Sequence, residues 1–190
     1  KEAKSEQERS ELFEKFEIVI DHLSSTLNTM VEVIQTTDDS TKATQELSFK
    51  KTLNKTQEII SSQISQSGAI IKSDFSKAAT VIYNDIYLDS IFLNLISNAI
   101  KYKSQDRVPE IYVESKIEDG KTILSISDNG LGINMERHGH KLFGLNKVFH
   151  SHPEAKGVGL YMTKIQIEAM GGSISASSEV GVGTTFTVIF

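Results

Sequence analysis

Residues 84–102 read NDIYLDSIFLNLISNAIKY, a stretch that forms one helix with two incompatible faces. At about 100° per residue, Asn94, Asn98 and Lys101 fall within roughly 60° of one another. Leu88, Ile91, Phe92, Leu95, Ile96, Ala99 and Ile100 cover more than half of the remaining circumference, more than a solvent-facing helix carries. The helix is therefore expected to be buried while keeping one narrow polar stripe. An unpaired buried carboxamide or ammonium costs about 1–3 kcal/mol, so two Asn and a Lys on that stripe imply a polar network or a polar ligand. Amide oxygens can face a cation while an ammonium faces an anion, and a magnesium-bound phosphate chain offers both.

The 190 residues suffice for one ordinary domain and an appendage, and 38% hydrophobic content is adequate for a core. Absence of cysteine excludes a disulfide framework and any cysteine-based metal or redox site, and suits the cytoplasm. No apolar run approaches the ~18 residues of a membrane span. The opening KEAKSEQERSE is no signal peptide, and a start other than Met reads as a fragment. A net charge of −5 argues against a general nucleic-acid binder.

From Ser5 to Gln35 there is no Pro or Gly, and Phe13, Phe16, Ile20, Leu23, Leu27, Met30 and Ile34 alternate spacings of three and four. This is a coiled-coil seam, which predicts a dimerisation helix over 1–36 and self-association through residues 13–34; docking on the globular part is the alternative. TTDDSTKATQ reads as a polar connection, giving a linker at 37–45 and a globular domain over 46–190. A strand is expected around Glu46–Phe49 and a helix over Asn54–Gln66 stopped by Gly68. AIIKSDF (Ala69–Phe75) and TVIYN (Thr80–Asn84) suit an antiparallel pair. Asp119-Gly120 joins EIYVESKIE to KTILSISD as a hairpin, and ISASSE and TTFTVIF flank a GVG turn. Asn129–Lys156, between the hairpins, is the least regular segment and is expected to be a mobile loop. Hairpins without βαβ regularity predict an α+β fold: a two-layer sandwich of mixed, mainly antiparallel sheet with helices on one face.

Three glycine clusters punctuate this frame. Asp128-Asn129-Gly130-Leu131-Gly132 ends a strand; its glycines permit close backbone approach to a ligand and its carboxylate can accept from an amine, although DNG is also a common turn. Lys156-Gly157-Val158-Gly159-Leu160 opens the helix YMTKIQIEAM, where free N–H groups suit an anion and a plain glycine-rich helix entry is the alternative. Neither a P-loop nor a dinucleotide fingerprint is present. Gly181-Val182-Gly183-Thr184-Thr185-Phe186, alone, is a tight hairpin.

In the order NLISNAIKY, DNGLGI, long loop, KGVGL and GVGTTF, these elements closely resemble the ATP-binding domain of sensor histidine kinases, from about Glu46 to Phe190. The fold is shared with the DNA gyrase, MutL and heat-shock chaperone ATPases, and the KY and GTTF features look like the kinase branch. The resemblance implies ATP and Mg2+ as cofactors. Asn94 would coordinate magnesium, Asn98 would support its hydration or the phosphates, Lys101 would contact a phosphate, and Tyr102 would border the nucleotide. Asp128 would bind the adenine amino group, with Gly130 and Gly132 close to the base. Phe143 would be the lid phenylalanine, and Gly157, Val158, Gly159 and Leu160 would bring helix N–H groups to the phosphates. Lys141, Lys147 and Lys156 could add charge in the lid, although each also reads as a solvated lysine. The implied partners are a second copy of the chain and a response-regulator receiver domain, with membrane attachment only through an upstream part.

Two departures stand out. Ala155-Lys156 occupies a place where the family usually has another Gly. His22 is followed by Leu-Ser-Ser rather than the phosphoacceptor pattern, so Ser5–Gln35 resembles the second hairpin helix, with the acceptor-bearing helix missing. No catalytic residue is assigned. His138, His140, His150 and His152 form HxH pairs, but no carboxylate or cysteine spacing completes a known zinc site. The expected activity is γ-phosphoryl transfer from Mg-ATP to a hairpin histidine. The alternatives are a nucleotide-binding interaction module without transfer, and an ATPase of the gyrase or chaperone type.

Overall fold

The computed structural model describes residues 43–145 and 158–190. The seam at 13–34, His22, the 37–42 part of the expected linker, Lys147, His150, His152, Ala155, Lys156 and Gly157 lie outside the described residues.

Among the described residues the main sheet has five strands in the order β2 (Ile70–Asp74), β4 (Glu110–Glu118), β5 (Lys121–Asp128), β7 (Gly183–Ile189), β6 (Ser173–Glu179). Only β2 and β4 run parallel; the other pairs are antiparallel. The Asp119-Gly120 turn joins β4 to β5 with φ of 51° and 74°, the left-handed pair a two-residue hairpin needs. Ile111 and Val113 of β4, Leu124 and Ile126 of β5, and Phe186 and Val188 of β7 alternate into the core, whereas Tyr112 and Glu114 face solvent. The helices cover the first of these faces, as the sequence pattern predicts.

Against that face lies α3 (Asp85–Lys101), capped by the Asn84 side chain, which accepts from the Tyr87 N–H at 3.0 Å. Leu88, Ile91, Phe92 and Ile96 are fully buried. Each such side chain contributes about 1.5–3 kcal/mol on leaving water, which makes this helix the centre of the core. The helices α1 (Phe49–Ile59), α2 (Ser61–Ser67) and α5 (Gly159–Ala169) flank it, and a short α4 (Met135–His138) follows β5. Phe49 joins α1 to the core, stacking on Phe92 at 6.2 Å and meeting Phe190 at 5.9 Å.

Three local expectations are corrected. The segments Ala69–Phe75 and Thr80–Asn84 do not pair with each other: β2 joins β4, while β3 (Thr80–Tyr83) pairs antiparallel with β1 (Gln45–Ser48) in a separate two-stranded sheet. Asp74 turns the chain by accepting from the Ser76 N–H, and Ser115 Oγ donates to the Ala78 carbonyl; these contacts carry the connection across the core instead of folding it back. The helix expected over Asn54–Gln66 starts earlier, at Phe49, because Ser48 caps it, and breaks at Ile60, whose side chain is buried. The segment Asn129–Lys156 is not irregular throughout. Asn134 caps α4, a 3-10 turn follows over Gly139–Lys141, and Leu142 is buried.

Truncating Phe92 to Ala leaves a void at a fully enclosed site and is expected to cost about 3–5 kcal/mol in denaturant unfolding. The exposed Ile82, truncated likewise, should change stability by less than about 1 kcal/mol.

Candidate functional site

The polar stripe of α3 faces the first turns of α5. Asn94 Nδ2 donates to Thr163 Oγ1 at 2.6 Å, and Asn98 Nδ2 donates to Asn94 Oδ1 at 3.2 Å. The helices meet here because residue 159 has no side chain: a Cβ on Gly159 would stand 2.2 Å from Asn94 Oδ1. The half-buried carboxamide is thus part of a network, with one amide oxygen held at the start of α5. Thr163, almost wholly buried, is the partner that sequence reasoning missed; its only signal was a hydroxyl on the apolar side of YMTKIQIEAM. Val158 precedes α5 without a side-chain cap, so the first N–H groups keep their donor capacity, and Leu160 packs toward the core. Lys101 Nζ lies 5.8 Å from the centroid of the Tyr102 ring, a cation–π distance.

A second group assembles at the end of β5. Asp128 Oδ1 accepts from the Gly130 N–H at 2.8 Å and the Thr184 N–H at 3.3 Å, and neither bond uses Oδ2. Burial pushes the Asp128 carboxyl above the usual carboxylate range, opposed by the two N–H donors and by the nearby Arg107 charge. Asp128 lines a cavity of about 330 Å³ with Ser178, Glu179, Gly183, Thr184 and Thr185. Gly132 is in the left-handed region at φ 67°, and a Cβ there would stand 1.9 Å from the Glu179 carbonyl oxygen, so no other residue fits. Leu131 N–H donates to the Tyr102 carbonyl at 2.9 Å, which places the end of α3 against the Gly130–Gly132 turn. Burial raises the half-buried Tyr102 phenol above its ordinary pKa.

The structure therefore gathers Asn94, Asn98, Val158 and Gly159 at one place, and Tyr102, Asp128, Gly130 and Gly132 at another. The third glycine cluster belongs to the second group through Gly183 and Thr184. Phe143 packs edge-on against Phe186 at 6.4 Å, and Lys141 is exposed. Arg107 also belongs to this end: its Nε donates to the Asn129 carbonyl at 2.6 Å and Nη2 to the Gly130 carbonyl at 2.9 Å. No periodicity singles out a loop arginine, and sequence reasoning missed it.

Among the described residues no group of three or more His, Cys, Asp or Glu could hold a metal ion. A cation near Asn94 would need ligand oxygens from a bound molecule, which fits magnesium held through one protein oxygen, phosphates and water.

The model of the family described as histidine kinase-, DNA gyrase B-, and HSP90-like ATPase matches residues 83–190, more than half of the chain. A phytochrome A of the cyanobacterium Nostoc sp. is 31% identical over 168 residues, covering 82% of this chain and 21% of that protein. The sensor protein RprX of Bacteroides fragilis is 36% identical over 126 residues, covering 62% of this chain and 24% of the relative. The chain thus spans about a fifth to a quarter of these relatives' lengths. Among solved structures, Acinetobacter baumannii histidine kinase AdeS superposes with a TM-score of 0.71 at 23% identity, over 90% of this chain and 78% of that one. Full-length ShkA in complex with AMPPNP gives 0.72 at 22% identity, over 89% and 35%. The chain belongs to the histidine kinase-, DNA gyrase B- and HSP90-like ATPase family, as an ATP-binding catalytic domain homologous to those of sensor histidine kinases.

Substitutions at two positions test this geometry. Thr163→Val should leave Asn94 Nδ2 without its partner and lower stability by about 1–3 kcal/mol in denaturant unfolding, whereas Thr163→Ser should recover most of it. For Asp128 the sign follows from burial. A folded pKa above the unfolded value of 3.8 gives a contribution that is fully present below 3.8 and is lost as pH rises through the folded value. Asp128→Asn keeps an oxygen for both N–H donors and removes the charge. The nucleotide-free variant should be at least as stable as the wild type at neutral pH, by thermal unfolding, with any advantage vanishing in acid.

Proposed function

We propose that this chain binds Mg-ATP and presents its γ-phosphoryl to a histidine on a dimerisation hairpin, for relay to a response-regulator receiver domain. The observation that carries the reading is Asp128: a buried carboxylate at a cavity wall, with Oδ1 tied to two backbone N–H groups and Oδ2 used by neither. An ionised carboxylate only accepts, so it pairs with the amino group of adenine and is mismatched to the keto oxygen of guanine. Tyr102 borders the base, and Gly130 and Gly132 let the wall come close to it.

At the other end, Asn94 Oδ1 has acceptor capacity beyond its bond from Asn98 and would ligate magnesium, with Asn98 supporting the hydrated ion. The uncapped start of α5 at Val158 and Gly159, with Gly157 before it, offers N–H donors and the positive end of a helix dipole to the phosphates. Lys101 adds charge at the end of the stripe. Magnesium, when bound, neutralises charge on the phosphates; phosphoryl transfer needs positioning and electrostatics more than covalent participation by the protein. The described part of the loop, docked through Leu142 and Phe143, would close over the nucleotide. ShkA, whose fold is similar, was solved in complex with AMPPNP, which supports a nucleotide ligand for this fold.

The 1–36 helix would pair two copies through the 13–34 seam and the 37–45 linker would join it to the 46–190 catalytic domain, a division that follows the sequence pattern. Among the described residues no helix is long and apolar enough to cross a membrane, and a cytoplasmic site of action is part of the proposal.

Calorimetry with ATP, with and without magnesium, tests the binding. The wild type should bind with a magnesium-dependent affinity, Asp128→Asn should weaken it at least about tenfold, and Asn94→Ala should abolish the magnesium dependence. Radiolabelled ATP supplied with a hairpin bearing a phosphoacceptor histidine tests the transfer. Label on that histidine is expected. Binding without transfer would make the chain a nucleotide-dependent interaction module, and steady hydrolysis without phosphohistidine would place it with the ATPases.

A further inference from the structure

Arg107 lies in the connection between α3 and β4 and is exposed, yet its guanidinium reaches four backbone carbonyls on two turns remote in sequence. Nε donates to Asn129 at 2.6 Å; Nη2 donates to Gly130 at 2.9 Å, Gly181 at 2.7 Å and Val182 at 3.2 Å. The first two acceptors directly follow Asp128, and the last two directly precede Gly183-Thr184.

The clamp is braced on both sides. Asn129 Oδ1 accepts from the Glu110 N–H at 2.9 Å and its Nδ2 donates to the Val108 carbonyl at 2.9 Å, which fixes the strap carrying Arg107. The Gly181 N–H donates to the Leu131 carbonyl at 2.8 Å, a direct bond between the same two turns. The Thr184 N–H to Asp128 Oδ1 contact, the longest in the circuit at 3.3 Å, lies just inside the clamp. Four backbone carbonyls thus converge on one solvent-exposed side chain. The guanidinium presents donors from separate nitrogens, here Nε and Nη2, in a rigid planar fork, whereas an ammonium offers its donors from a single nitrogen.

We propose that Arg107 is a positioning residue for the nucleotide base: it clamps the Asn129–Gly130 turn to the Gly181–Val182 turn, fixing the spacing between Asp128 and Thr184 that the base meets. Arg107 touches no substrate atom in this role and acts through the two turns. The inference rests on the nucleotide reading above for its ligand, and on the hydrogen bonds alone for the clamp.

The two parts are separated by measuring Arg107→Lys and Arg107→Gln in two ways on the same chain. Without nucleotide, hydrogen exchange at the Leu131 and Gly181 amides should accelerate about tenfold or more in both variants, while amides in the central β5–β7 ladder keep their protection. With nucleotide, ATP affinity should fall about tenfold and the ratio of ATP to GTP affinity should drop toward one, an effect that general destabilisation does not produce. Unchanged exchange at both turns in the variants overturns the clamp. A loss of ATP affinity with an unchanged ATP-to-GTP ratio overturns the positioning role. If the wild type binds no ATP, the nucleotide reading fails and takes the base-positioning role with it, while exchange still reports on the clamp.

Discussion

Everything in this domain depends on how one buried helix satisfies the two half-buried carboxamides of its polar stripe. The apolar side of α3 fixes it at the centre of the core, and that leaves Asn94 and Asn98 half-buried on the stripe that faces α5. The stripe is satisfied by neighbours: Thr163 from α5 accepts, Asn98 donates, and the bare backbone at Gly159 lets the two helices approach closely enough for both. The requirement runs in both directions. Any side chain at 159 would push α5 away and strand Asn94, so the glycine answers to helix packing as well as to the anion-binding potential of a helix start. Local sequence and packing converge on one residue.

At the far end of α3 the constraint is different. Asp128 is a carboxylate in a place that burial makes unfavourable for charge, and its environment compensates with backbone donors and the Arg107 guanidinium. Its two backbone donors both use Oδ1, which leaves Oδ2 as the atom through which the proposed base contact would run. The turns around it are joined to one another and to Tyr102 by backbone contacts, so α3, β4, β5 and the β6–β7 hairpin all meet at this wall.

Much of this could be read from residue order, and the failures have physical causes. The α3 helix was legible because its caps, its apolar arc and its polar stripe all agree. The Asp119-Gly120 hairpin was legible because its turn chemistry is local. The pairing of β2 and β3 was not: two short β-prone runs separated by a small-residue turn look like a hairpin, and only their partners β4 and β1, distant in sequence, decide otherwise. Asp128, Asn94 and their glycines stood out by type and spacing. Thr163 and Arg107 did not, since a helical threonine and a loop arginine acquire meaning only from the oxygen and nitrogen atoms that folding brings to them. The family comparison supports an ATP-binding catalytic domain over 83–190, a span that contains every described candidate site residue.

In the proposed complex a single nucleotide runs along the C-terminal half of α3, its base at Asp128 beyond the helix end and its phosphates at Asn94 in mid-helix and the start of α5. Titration of the isotopically labelled chain with Mg-ATP, followed by amide NMR, tests it most directly. Coincident, saturable shifts at the Gly130, Gly132 and Thr184 backbone amides and at the Asn94 side-chain amide are predicted, with adenosine reproducing only the Asp128-end subset. Shifts confined to residues away from α3, or none at saturating nucleotide, would contradict the account.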